Sequence, residues 1–223
     1  MRYLLVEGIT DVQFIKYICV KYNITKKYND FKKNENNNPD IDIYEFNDLK
    51  IINIAGQNNL EYVLTNIIKV QEIKIEKLAI IQDADGNFNT SLDLINKAIE
   101  NSKVTKTLIP KENIFLMPNN KDFEGDLETL LLSTLDKSKI PQLKCFEGYK
   151  NCLNEHLDIS TKYMNKGEVY SYTMFEKDGK DNYTPQNSFM YKKGKKYLDT
   201  DLWDLSKEKF QPIINFVLEI FKK

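Results

Sequence analysis

The residues most able to do chemistry are two aspartates in the stretch from Lys77 to Asn87, KLAIIQDADGN. Leu78, Ala79, Ile80 and Ile81 form an unbroken apolar run, as expected of a strand buried on both faces of a parallel sheet. The run ends abruptly in Asp83-Ala84-Asp85-Gly86. Carboxylates at i and i+2 aim the same way while the backbone stays extended. Held close they repel, unless a proton or a cation sits between them. A hard divalent ion, Mg²⁺ or Mn²⁺, suits such oxygen donors. The same letters also describe a plain strand-ending turn, because Asp and Gly favour turns for backbone reasons alone.

These acids need elements to position them. Tyr3 to Val6 reads as a short apolar strand ending at once in Glu7-Gly8, and Thr10 or Asp11 is placed to cap a helix to about Tyr22. Val12, Ile15, Ile18 and Cys19 give that helix one apolar face. Residues 23–49, with NENNNPD at their centre, read as a mobile polar insertion. Lys50 to Ile54 is a second strand, followed by Gly56 and by a helical stripe of Leu60, Val63, Leu64, Ile67 and Ile68. Leu78 to Gln82 is the third strand, followed by a helix over about Ser91 to Ser102. Asn113 to Met117 is the fourth, and a helix capped by Asp126 follows, with Glu128 exposed in its first turn. This βα alternation predicts an α/β fold with a four-stranded, mostly parallel sheet and right-handed crossovers.

Parallel strands share a direction, so their trailing loops emerge on one edge, where open α/β sheets bind ligands. Glu7, the Asp83/Asp85 pair and the group Glu124, Asp126 and Glu128 would all lie there. Carboxylates converging on one edge are what magnesium-dependent phosphoryl transfer requires.

The remainder is mainly helical. Leu143 to Leu157 predicts a helix, Gly167 to Phe175 reads as strand or helix, and Ser206 to Phe221 is strongly amphipathic. We therefore divide the chain into an α/β core over residues 1–135 and a helical extension over 136–223. Tyr191 to Tyr197, YKKGKKY, packs four lysines between two tyrosines and suits a nucleic-acid backbone or a solvated loop. His156 reads as a helix-end or surface residue, Trp203 as an anchor for the last helix and Cys19 as core.

Composition narrows the classes. Lys+Arg 32 against Asp+Glu 33 gives a net charge of -1, so no global field recruits nucleic acid or anionic membrane. Three cysteines without a CxxC pair, and one histidine, argue against a disulfide framework or a histidine-rich zinc site. The opening MRYLLVEGITD lacks the pattern of a signal peptide, and no apolar run is long enough to span a membrane. The expectation is a soluble, reduced, cytoplasmic protein with no membrane partner.

The motifs VEGITD at Val6–Asp11, IAGQNN around Gly56 and DADG at Asp83–Gly86 resemble those of the Toprim domain, shared by topoisomerases, bacterial primases, OLD-family nucleases and a ribosomal RNA maturase. That domain carries a glutamate after its first strand, a glycine turn after the second and DxD after the third. An extra acid after the fourth recurs in some branches, and Glu128 is its nearest match. The whole chain is also similar to small stand-alone Toprim-like proteins of unassigned function. The specific resemblance covers roughly residues 3–135.

The resemblance implies Glu7 as general acid/base or further metal ligand. It implies Asp83 and Asp85, with Glu128, as ligands of Mg²⁺ or Mn²⁺, and Gly8 and Gly56 as points of backbone approach to phosphate. Lys121 is a candidate phosphate contact. General bases work best near the operating pH, the range that carboxylate crowding favours. The implied activity is a metal-dependent nuclease acting on DNA or RNA. A protein partner could supply an ATPase or specificity function, since the chain has no GxxxxGK[ST] motif of its own. Two other readings stand beside it: a non-catalytic Toprim-like module that binds nucleic acid or a partner, and a phosphotransferase or phosphatase acting on a small phosphorylated substrate.

Overall fold

A computed structural model describes residues 1–34, 41–121, 124–157, 159, 161–174, 191–192, 195–196 and 203–221. Its centre is one mixed sheet of β1 (Arg2–Val6), β2 (Lys32–Asn34), β3 (Asp42–Phe46), β4 (Leu49–Asn53), β5 (Lys77–Asp83) and β6 (Ile114–Met117), in the order β2-β3-β4-β1-β5-β6. The pairs β4–β1, β1–β5 and β5–β6 are parallel, while β2–β3 and β3–β4 are antiparallel. The α/β class holds, and the sheet has six strands where the sequence reading gave four.

The two added strands come from the stretch read as a mobile insertion. Ile43 packs with one core and Tyr44 and Phe46 with the other, so the hairpin has two apolar faces despite its Asn- and Lys-rich surroundings. Phe31 and Phe46 meet with ring centroids 5.7 Å apart. The ammonium of Lys16, from α1 (Ile9–Lys21), sits over Tyr44 at 3.7 Å and near Tyr28 at 5.2 Å. This cation–π clamp ties the hairpin to the first helix.

Burial on both faces explains the unbroken apolar runs. Leu4, Val6, Ile51, Ala79 and Ile81 point into a core formed with α1 and with α5 (Leu127–Ser133) and α8 (Gln211–Phe221). Tyr3, Leu5, Ile52, Leu78 and Ile80 point the other way. There they meet α2 (Leu60–Val63), the π-helical turn Leu64–Ile68 that continues it into α3 (Lys69–Gln71), and α4 (Phe88–Ser102). The two sets alternate along β1, β4, β5 and β6, as the pleat requires.

The C-terminal part joins this core. Phe216 of α8 stacks on Phe115 at 5.3 Å, and Phe210 meets Phe14 at 5.8 Å. Trp203 is buried, its carbonyl accepts from the Tyr17 hydroxyl at 3.0 Å, and its ring meets Tyr172 edge-on. It anchors the last helix, as its position suggested. α6 (Pro141–Asn154) and α7 (Thr161–Met174) form a helical pair, and α7 packs on α5. The stretch after Gly167 is therefore helical as far as Met174. Cys19 is buried, His156 is exposed, and no described helix is long and apolar enough to cross a membrane. Of YKKGKKY, Tyr191–Lys192 and Lys195–Lys196 pair as the short strands β7 and β8, and its other residues lie outside the described set.

Candidate functional site

In the parallel part of the sheet, the chain passes from β1 to β4 on one side and then to β5 on the other. The helix after β1 covers one face and the helix after β5 covers the opposite face. Their loops therefore part above the β1–β5 boundary, the topological switch point where such sheets leave a crevice. Glu7 follows β1 and Asp83 ends β5, so both flank it.

The register brings them into contact. Val6 pairs with Ile81, which sets Glu7 level with Gln82 and one step short of Asp83. The Asp83 amide donates to Glu7 Oε2 at 3.2 Å, and Glu7's own carbonyl accepts from the Gly56 amide at 2.9 Å. One residue thus links three strand ends. Gly56 has φ +106, with open space where a Cβ would stand. That backbone suits glycine and leaves the loop approachable.

The DxD pair departs from the extended arrangement expected of it. β5 ends at Asp83, and Asp85 is left-handed with φ +46. The amide of Asp85 donates to the Gly125 carbonyl at 3.0 Å, forming an isolated bridge to the loop before α5. The bridge draws Asp126 and Glu128 toward the DADG loop. Gly125 itself has φ +142, and a Cβ there would lie 2.8–2.9 Å from Thr129.

Glu128 is buried rather than exposed, because the first turn of α5 is covered by neighbouring elements. Asp126 caps the helix as expected, its Oδ1 accepting from the Thr129 amide at 2.8 Å and the Thr129 hydroxyl at 2.7 Å. Asn165 of α7 donates to the same hydroxyl at 3.1 Å. Asp126 Oδ2 is buried with no protein partner.

Asp11 is the acid whose importance the sequence understated. It is buried in the first turn of α1, and its carboxylate accepts from the Gly8 amide at 2.8 Å, making Gly8 the cap. Burial pushes its pKa from the ordinary 3.8 up to about 7. The Gly8 hydrogen bond opposes that rise, Glu7 and Glu128 add to it, and Lys166 on α7 opposes it. Asp11, Glu7 and Glu128 therefore share one electrostatic neighbourhood. The spacing of Glu7 and Asp11 hinted at this, whereas nothing local marked Lys166 or Asn165 in α7. Gln82, beside Glu7 in register, is also buried, with neither Nε2 nor Oε1 hydrogen-bonded to protein.

Gly8 stands at the α1 cap beside Glu7, while Lys121 and Glu124 stay exposed in the loop after β6. Among the described residues, no three His, Cys, Asp or Glu side chains converge to hold a metal ion between them. The donors at the crevice are nonetheless all hard oxygens, and Mg²⁺ commonly takes one or two carboxylates, with water and substrate phosphate filling its octahedron. Glu7 with Asp83 or Asp85 meets that lesser requirement in ligand type.

No curated protein and no solved structure matches the chain. A family model described as Protein of unknown function (DUF3226) matches residues 1–222, from β1 through α8. The chain belongs to the DUF3226 family.

Proposed function

We propose that the protein is a Toprim-like, Mg²⁺- or Mn²⁺-dependent enzyme that hydrolyses nucleic-acid phosphodiesters. The observation that carries this reading is the Glu7–Asp83 contact across the switch point, with Asp11 and Glu128 in the same electrostatic neighbourhood. The likeness of VEGITD and DADG to the Toprim motifs adds to it. In this reading Asp83 or Asp85 would hold the cation, with Glu7 as a further ligand or as the general acid/base, and Glu128 stands in the same electrostatic neighbourhood. When bound, the ion polarises a phosphoryl oxygen and lowers the pKa of a coordinated water.

The chain's own groups do the rest. Where it acts as general acid/base rather than as a ligand, Glu7 takes the proton from the attacking water or returns one to the leaving oxygen. Asp11 stores a proton near neutrality behind it, in a place where a third negative charge is costly. Gly8 and Gly56 let backbone amides approach the phosphate, and exposed Lys121 adds a cation at the crevice rim.

A second reading is a non-catalytic nucleic-acid or partner-binding module. The left-handed Asp85 and the lack of a ready three-carboxylate cage among the described residues favour it. Incubation with single- and double-stranded DNA and RNA, in Mg²⁺, Mn²⁺ or EDTA, separates the two. Cleavage that needs metal and disappears in Asp83→Ala and Glu7→Gln supports the enzyme. Binding that survives both substitutions, without cleavage, supports the module.

A further inference from the structure

α7 has two unlike faces. Met164, Glu168 and Val169 are buried, and Asn165 donates to the Thr129 hydroxyl of α5 at 3.1 Å. The other face meets solvent, with Tyr163 72 % and Tyr170 36 % exposed and Lys166 exposed between them. Positions i, i+3 and i+7 fall within about 60° of arc at 3.6 residues per turn. The two tyrosines stand about 10 Å apart along the axis at 1.5 Å per residue.

The direction of the helix decides where this row leads. Asn165 meets the first turn of α5, and the loop before that turn bridges through Gly125 to Asp85. Lys166, the next residue, acts on Asp11 of the acid cluster. Further along, Tyr172 meets Trp203 edge-on, and the Trp203 carbonyl accepts from Tyr17, in the half of α1 remote from Gly8. α7 therefore begins beside the crevice and runs away from it. Tyr163, Lys166 and Tyr170 form a row leading out from the acids.

The chemistry of the row suits one kind of partner. Exposed aromatic rings offer bases a stacking surface whatever their sequence, and a lysine between them meets the phosphate. The one acid of α7, Glu168, is buried and paired with Lys137, so no carboxylate of this helix repels a phosphate on the outer face. Bases in a duplex have their faces covered by their neighbours, so only an unpaired strand can lay them on these rings.

We propose that the outer face of α7 is a stacking track for single-stranded nucleic acid, leading a strand to the acidic crevice. The delivery to the crevice, though not the binding, rests on the enzyme reading given above.

The test is fluorescence anisotropy with short labelled oligothymidylate, oligouridylate and a duplex of the same length, in EDTA so that binding is read without metal-dependent cleavage. The expected result is at least one single strand bound about tenfold or more tighter than the duplex. Tyr163→Ala and Tyr170→Ala should each weaken it by about fivefold or more, the lower end of what one stacked base is worth. Lys166→Gln should make the slope of log affinity against log salt shallower by about 0.7, the share of one phosphate on a single strand. Tyr62→Ala, an exposed tyrosine of α2 on the opposite face of the sheet, should leave binding unchanged. Absence of single-strand binding overturns the proposal, as does a duplex bound equally well. So does an affinity unmoved in either α7 tyrosine variant, a salt slope unmoved in Lys166→Gln, or an equal loss in Tyr62→Ala. Cleavage in Mn²⁺ is scored separately. A protein that binds in this way and cuts nothing sinks the enzyme reading and leaves the track; one that cuts while its α7 tyrosine variants bind as wild type does the reverse.

Discussion

Replacing Asp11 by Asn should stabilise the protein at pH 8 and leave it nearly unchanged at pH 4. The Asn side chain keeps the shape, and its Oδ1 can still accept from the Gly8 amide, so the helix cap persists. What the substitution removes is a buried negative charge. Burial first, then Glu7 and Glu128, raise the Asp11 pKa from 3.8 to about 7. A folded-state pKa raised above the unfolded value contributes stability that is complete below about pH 4 and is lost as pH rises through about 7. At 1.36 kcal/mol per pH unit, that interval corresponds to about 4 kcal/mol of cost for the ionised form. That figure already includes the stronger hydrogen bond that the charged carboxylate accepts from Gly8, so the expectation is a gain of about 4 kcal/mol at pH 8. Urea denaturation of both proteins in EDTA at pH 4 and pH 8 measures it. A variant less stable than wild type at pH 8 would refute the reasoning. The Lys166 charge and local solvation would then outweigh the crowding.

Two further outcomes follow from other parts of the fold. Gly125→Ala should destabilise by about 1–3 kcal/mol, since a left-handed backbone and a Cβ within 2.9 Å of Thr129 combine. Urea midpoints read this, and an unchanged midpoint would mean that the Asp85–Gly125 bridge relaxes freely. Lys16, buried among Tyr44, Tyr28 and Phe31, has its pKa lowered by burial to about 8. A lowered lysine pKa means that the unfolded chain holds the extra proton above pH 8, so Lys16 raises stability with pH from about 8 toward 10.5. Cys19, whose thiol pKa burial raises, titrates in the unfolded chain over the same range and contributes alike to both proteins. Between pH 8 and 9 the stability of wild type should therefore rise more steeply, or fall less steeply, with pH than that of Lys16→Met. A slope identical in both proteins would show that the clamp leaves the ammonium well solvated.

The parts of the fold legible in the sequence share one physical property. β1, β4, β5 and β6 are buried on both faces, so their apolar runs are continuous and their trailing acids and glycines stand out. The β2–β3 hairpin was hidden because its signal is carried by a few side chains, Phe31, Tyr44 and Phe46, set in an Asn- and Lys-rich stretch. Glu128 looked solvent-facing because helix position alone fixes which residues share a face and cannot say what covers it. The extended reading of DADG failed at Asp85, where a long-range bridge to Gly125 imposes a left-handed turn that no local residue announces. Asp11 was visible as a helix-start residue, but its charge cost comes first from burial by the folded chain, to which Glu7 and then Glu128, 117 positions away in the chain, add.

In the proposed function, the carboxylates at the β1–β5 switch point hold a divalent cation. Crystals of the protein grown or soaked with Mn²⁺, with data collected at the manganese absorption edge, test it most directly. The expected result is an anomalous peak in the crevice, within ligand distance of Glu7 and of Asp83 or Asp85, and its loss in Asp83→Ala. A crevice left empty while Mn²⁺ binds elsewhere, or a peak that survives Asp83→Ala undiminished, would contradict it.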